Sequence, residues 1–326
     1  MVLVISREEV EKILTMEETI EEVEKAFKNL SLKKVIMPIR SNIPLKKYNG
    51  IIYYMPAYIE ETDALAVKIV SVHSENYKYG LPTTQATILL NEAKTGRLLA
   101  IMDGGYITAM RTGAASGVAT KYLAKKKAKT AGIFGAGVQA RTQLIAVCKV
   151  RPIEIAYVYD IRMEVAKKYA DEMSKILGIN VKVVDDPKKL VEESEVICAA
   201  TTSKTPIFNG EWLKNGTHIN GIGAHTPDAR ELDTTTIKRS KVVVDSYEAC
   251  LKEAGEIIIP LNEGEITKEH IYAELGEIVA GIKPGRESDD EITLFKSVGL
   301  AIQDAATALR VYQKALESNI GREIKI

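Results

Sequence analysis

TAGIFGAGVQARTQLIAVCKV, residues 130–150, decides how the rest of the chain is read. Its first five residues form a short apolar run with the composition of a buried strand, and the part from Val138 onward has helical length and composition. Between them stands Gly135-x-Gly137-x-x-Ala140. Gly135 permits a tight turn, Gly137 lets the backbone approach a pyrophosphate, and Ala140 is small enough for the helix to pack closely on the strand. A helix opening at this point presents free N–H groups and a positive dipole end to phosphates. The order strand, loop, helix, second strand, carboxylate is the context that turns a glycine pattern into a dinucleotide fingerprint. The carboxylate is Asp160, at the end of IEIAYVYD, residues 153–160, where it can accept from both ribose hydroxyls. Its charge repels a 2′-phosphate, so NAD(H) is favoured as cofactor; Arg162 nearby keeps NADP(H) open.

Downstream, VKVVD, VICAAT, THINGIG and KVVVDS are strand candidates separated by helical stretches, one of them MEVAKKYADEMSKIL. Strands alternating with helices imply a doubly wound parallel sheet. Upstream the pattern differs. Two helices open the chain, with capping-box spacing at Ser6/Glu9 and Thr15/Glu18. VIMPIRSNIPL, GIIYYMPAYI, ALAVKIVSVH and QATILLNEAKTGRLLAIMD then follow without intervening helices, the last as a hairpin around EAKTG. Such a succession implies an antiparallel sheet or partial barrel. The final helix candidate, from Ser297 to Ser318, is placed to leave the parallel domain and pack back on the first. The fold class is thus α/β: a Rossmann sheet, residues 119–302, inserted into an α+β domain of residues 1–118 plus 303–326.

Composition bounds the function. At 46% hydrophobic residues the chain can bury a sizeable core, and 44 basic side chains cancel 44 acidic ones, which leaves no electrostatic footprint for nucleic acid or an anionic membrane. Cys148, Cys198 and Cys250 have no metal-ligand spacing and suit reduced residues of a cytoplasmic protein; no metal is expected. The opening residues lack the pattern of a signal peptide, and no apolar run reaches membrane-spanning length.

Three cations interrupt apolar or small-residue stretches: Arg40 in MPIR, Lys68 in ALAVKIVSV and Arg111 in AMRTGAAS. Read alone, each is most simply a solvent-facing side chain. Together with GLPTTQATILLNEAKTGRLLAIMDG, GAGVQAR, GAHTPDARELD, AELGEIVAGIKPGR and ITLFKSVGLAIQD, in this order, they give a sequence that resembles the ornithine cyclodeaminase/mu-crystallin family from about residue 35 to the C-terminal helix. That family also includes archaeal alanine dehydrogenases and cyclic ketimine reductases.

The resemblance implies a homodimer whose N-terminal domain binds substrate and dimerises, and it implies roles. Arg40, Lys68 and Arg111 face the substrate and its α-carboxylate. Thr83, Arg111 and Thr112 lie near the cofactor, Ala136, Val138 and Gln139 belong to the phosphate loop, and Thr201, Thr202, Ile222, Gly223 and Ala224 line the dinucleotide cleft. Ser297 and Val298 come near the nicotinamide and the substrate. One position departs: cyclodeaminases carry an aspartate where this chain has His225, followed here by TPDARELD. His225 can itself transfer protons near neutral pH, or be a satisfied polar residue at a strand end; Asp228 is a weaker substitute. The implied activity is NAD(P)H-dependent reduction of an α-imino acid to an L-amino acid, with Δ1-pyrroline-2-carboxylate to L-proline first. Alanine dehydrogenase follows, then ornithine cyclodeaminase, or a mu-crystallin-like binding protein with little turnover. Lys68 would exchange a proton with the imine nitrogen.

Overall fold

The computed structural model describes residues 1–325. The chain divides into two compact units, Met1–Arg111 with the stretch from Leu300 onward, and Thr112–Gly299. Both divisions fall a little before the boundaries expected at 118/119 and 302/303.

The first unit holds β1 (Val2–Ile5), β2 (Val35–Ile36), β3 (Ser41–Leu45), β4 (Gly50–Ile59), β5 (Ala64–His73), β6 (Thr84–Glu92) and β7 (Leu98–Asp103). With β16 (Arg322–Ile324), numbered after the strands of the second unit, they form one sheet of order β16-β1-β7-β6-β5-β4-β2, with β3 also paired to β4. The pairings are antiparallel except β1 with β7. The expected hairpin joins β6 to β7. Strand β1 was not foreseen: four residues before a helix cap carry too short an alternation to stand out. Helices α1 (Arg7–Ile13) and α2 (Met16–Ser31) start at Ser6 and Thr15, both with complete capping boxes.

The C-terminal helix α11 (Ala301–Glu317), numbered after the second unit's helices, packs on α2, β4 and β5. It begins later than expected, because Ser297–Gly299 are held by a buried carboxylate and Gly299 has a φ of 81°. Its run of small residues, Ala301, Ala305, Ala306 and Ala308, is buried and lets the helix approach the sheet closely. On β5 the alternation puts Ala64, Ala66, Lys68 and Val70 on the buried face.

The second unit is a parallel sheet of order β10-β9-β8-β11-β12-β15-β13-β14. Its strands are β8 (Thr130–Phe134), β9 (Ile155–Tyr159), β10 (Asn180–Val183), β11 (Val196–Ala199), β12 (His218–Gly221), β13 (Lys241–Val244), β14 (Ile271–Glu274) and β15 (Thr293–Lys296). Sequence reading found β8 to β13; β14 and β15 were missed, the latter because TLFK ends in a lysine. α3 (Gly104–Leu123) enters this unit, and α4 (Val138–Val150), α5 (Met163–Leu177), α6 (Pro187–Glu193), α7 (Thr234–Arg239), α8 (Tyr247–Glu253), α9 (Gly255–Asn262) and α10 (Leu275–Val279) follow in turn. Apolar clusters fill the space around the sheet, one including Ile133, Leu144, Tyr169 and Met173, the other Phe134, Leu190, Ile219 and Leu294. From β8 the chain winds outward to β9 and β10, and on the other side to β11 and β12. The strand order reverses between β8 and β11, the place where open α/β sheets bind ligands beyond the carboxyl ends of their strands.

Candidate functional site

At that switch point the glycine loop has the conformation its residues require. Gly135 takes a φ of 90° and donates its N–H to the Tyr159 carbonyl at 2.8 Å. A Cβ there would lie 2.7 Å from the Ala200 carbonyl oxygen, so only glycine fits. A Cβ on Gly137 would meet nothing within 4 Å. The backbone at Gly137 therefore lies open to a ligand, and α4 starts there without a side-chain cap on its free N–H groups. Ala140 is fully buried. Asp160 accepts from the Ala136 N–H at 3.0 Å and the Arg162 N–H at 2.9 Å, which fixes the carboxylate beside the loop. Arg162 and Val138 are exposed, and Gln139 is half-buried. Arg141 braces the loop by donating to the Ala136 and Gly137 carbonyls and to both oxygens of Glu172. These features fit a dinucleotide: an open glycine backbone, an uncapped helix start and a fixed carboxylate.

The next turns along the same sheet edge are held by buried carboxylates. Glu231 accepts the N–H groups of Thr201 and Gly223, each at 2.6 Å. Burial pushes its pKa up, against the lowering by Lys296 and by the Thr201 hydrogen bond. Lys296 pairs with Glu256 at 3.1 Å and donates to the Ala224 carbonyl at 2.6 Å. Asp245 accepts from the Ser297 hydroxyl and from the N–H groups of Val298 and Gly299. Thr201, Ile222, Gly223, Ala224, Ser297 and Val298 thus share the carboxyl ends of β11, β12 and β15, while Thr202 is exposed. The Ser297 hydroxyl is spent inside the protein. His225 is exposed, with Nδ1 3.1 Å from the Gly223 carbonyl oxygen. Asp228, also exposed, is held below the usual carboxylate range by the Thr226 hydroxyl. Thr112 is buried, and its carbonyl accepts from Gln143 at 3.2 Å.

The first unit carries the other cluster. Lys68 is not a surface lysine: its side chain is 1% exposed, with Nζ 2.7 Å from Asp304 on α11. Arg111 is not a surface arginine either. Its Nε lies 3.0 Å from the other oxygen of Asp304, and its Nη1 donates to Gln303 at 2.6 Å. Arg40 is half-buried with its guanidinium over the Tyr53 ring, and Thr83 is exposed just before β6. Burial drives the Lys68 pKa down to about 7; the Arg111 and Arg40 charges add to that, and Asp304 opposes it. An ammonium that titrates near neutrality can give and take a proton under ordinary conditions. Sequence reading missed Asp304 and Gln303. The available signal was an acid in QDAATA, flanked by small apolar residues on a helix otherwise suited to burial.

The chain matches the ornithine cyclodeaminase/mu-crystallin family over residues 2–319. It is 57% identical to the Δ1-pyrroline-2-carboxylate reductase of Thermococcus litoralis, solved in complex with NADH and L-proline; the TM-score is 0.97, covering 99% of this chain and 100% of that one. It is 41% identical over 324 residues to the Δ1-pyrroline-2-carboxylate reductase of Bacillus cereus, covering 99% of both chains. An archaeal alanine dehydrogenase, solved as a dimer with bound NAD, is 40% identical with a TM-score of 0.94, covering 100% of this chain and 99% of that one.

Proposed function

The chain belongs to the ornithine cyclodeaminase/mu-crystallin family, and we propose that it reduces an α-imino acid to an L-amino acid with NADH, converting Δ1-pyrroline-2-carboxylate to L-proline. The observation that carries this reading is the buried Lys68, poised near pH 7 between Asp304 and two arginines. The resemblance to two pyrroline-carboxylate reductases supports the cyclic imine as substrate.

Gly135, Ala136, Gly137 and the start of α4 would hold the pyrophosphate, and Asp160 the ribose. Thr201, Thr202, Ile222, Gly223, Ala224 and Ser297 are assigned to the remainder of the dinucleotide, with Thr83 and Thr112, and Val298 to the substrate. When bound, NADH supplies the hydride that the imine carbon accepts. Lys68 in its ammonium form donates a proton to the imine nitrogen, which makes the carbon electrophilic, and is reprotonated from solvent. Asp304 holds the ammonium in place and favours its charged form. Arg40 supplies a planar fork for the substrate carboxylate. Arg111, with Nε and Nη1 committed to Asp304 and Gln303, contributes mainly its charge. His225 and Asp228 remain assigned to proton exchange on the loop after β12.

The second reading, alanine dehydrogenase on pyruvate and ammonia, is favoured by the 40% identical archaeal enzyme. NADH consumption separates the two. Pyrroline-carboxylate turned over without ammonia supports the first, and pyruvate responding only with ammonia supports the second. Ornithine yielding proline and ammonia, or binding with no turnover, would refute both. The exposed Ile36, Ile39, Ile43, Tyr77, Tyr79 and Leu81 of the first unit support a homodimer through that unit. The three cysteines are free thiols, which suits the cytoplasm. Among the described residues no helix is long and apolar enough to cross a membrane.

A further inference from the structure

We infer that Glu231 is a positioning residue for the cofactor: its carboxylate fixes the two neighbouring turns on which the dinucleotide rests, and the buried Lys296–Glu256 pair secures it. The inference rests on the dinucleotide reading above.

The geometry is specific. Glu231 is fully buried and lies outside both turns, in the segment before α7. Its Oε1 takes the N–H of Thr201, just past β11, and its Oε2 takes the N–H of Gly223, just past β12. One carboxylate thus ties two adjacent strand ends through charge-assisted bonds of 2.6 Å, at the short end for such contacts. The turns are also in close mutual contact: a Cβ on Gly223 would overlap the Thr201 carbonyl oxygen and the Glu231 carboxylate. Glu231 is fixed in turn, since its own N–H donates to Glu256 Oε1 at 3.0 Å. Glu256 pairs through Oε2 with Lys296 at the end of β15, and Lys296 caps the Ala224 carbonyl. Three successive strand ends, β11, β12 and β15, are therefore joined by one buried chain of charges. Both acceptor oxygens converge on backbone turns at the carboxyl edge of the sheet, where open α/β sheets bind ligands. Ordering these turns in advance removes a cost that binding would otherwise bear.

The test is NADH binding by fluorescence and steady-state kinetics on wild type, Glu231→Gln and Glu256→Gln. Ser194→Ala is the comparison; it removes a buried hydroxyl bonded to the Leu190 carbonyl, before the start of β11 and so at the opposite end of that strand from the Thr201 turn. In Glu231→Gln the amide can accept at only one of its two ends, so one turn loses its anchor. We expect its NADH dissociation constant to rise about tenfold, with KM for the imino acid within about twofold of wild type. Glu256→Gln should move NADH affinity in the same direction but less, and Ser194→Ala should lower Tm without changing it. Glu231→Gln that loses as much Tm as Ser194→Ala yet binds NADH like wild type would overturn the inference and leave the cofactor reading standing. Absence of NADH binding by the wild type would overturn both. Hydrogen exchange on the wild type needs no variant: the Thr201 and Gly223 amides should already be protected without NADH. Amides that exchange freely until NADH is added would refute the anchoring.

Discussion

Replacing Asp304 by Asn removes a carboxylate that touches both Lys68 and Arg111, the buried cations of the first unit. The Lys68 ammonium lies 2.7 Å from it; at that separation a unit charge pair is worth about 6 kcal/mol at an effective dielectric of about 20. The asparagine dipole recovers part of this, and buried pairs stripped of one partner lose about 3–5 kcal/mol. Taking about 3 kcal/mol as the penalty on the charged lysine, its pKa falls by about 2 units. Starting from about 7, Lys68 would titrate near pH 5, and about one molecule in a hundred would carry the ammonium at pH 7. Reduction, which needs the ammonium, should then fall about fiftyfold at pH 7 and recover as the pH is lowered. The assay is NADH consumption with Δ1-pyrroline-2-carboxylate across about pH 5 to pH 9, beside denaturant unfolding of the same variant. A wild-type rate at pH 7 and an unmoved pH profile would show that Asp304 does not govern the proton on Lys68.

Lys68→Ala should abolish turnover while NADH still binds, measured by fluorescence; retained turnover would remove Lys68 from the chemistry. Asp160→Ser should shift cofactor preference toward NADPH, since the repelling carboxylate is gone, and an unchanged ratio of kcat/KM values would refute the ribose assignment. Glu18 gives a pH effect on stability. Burial pushes its pKa up, but hydrogen bonds from Lys314, Arg310 and Thr15 outweigh this and hold it at about 2, below the ordinary 4.5. Its contribution is thus present above pH 4.5 and is lost as the pH falls toward 2. Glu18→Gln should be less stable than wild type in urea at neutral pH by about 1 kcal/mol, the gap closing in acid; a gap independent of pH would contradict the pairing.

The glycine loop was legible because each of its positions answers a local need: Gly135 the positive φ, Gly137 the open backbone, Ala140 the packing. Asp160 was legible from its distance along the chain, and the hairpin from EAKTG. Lys68 was legible as an anomaly, but its burial depends on α11, which lies more than two hundred residues away in sequence and supplies Asp304. Long-range pairing of this kind leaves no periodic trace. Glu231, Glu256, Lys296 and Asp245 were missed for the same reason: single charges in loops and strand ends look solvated until the strand order brings them together. Strand β15 was hidden because a buried, paired lysine breaks the apolar run that marks a parallel strand. β1 and β16 were hidden by their brevity, since their residues become a sheet edge only when paired with each other and with β7.

The account turns on a single proton at Lys68. Nitrogen NMR of the lysine side chains, with Lys68 assigned by its loss in Lys68→Ala, reports that proton directly. We predict an Nζ signal that titrates near pH 7, well below the ordinary lysine value of 10.5. A Lys68 signal that stays charged until about pH 10, with the other lysines, would contradict the proposed proton donor.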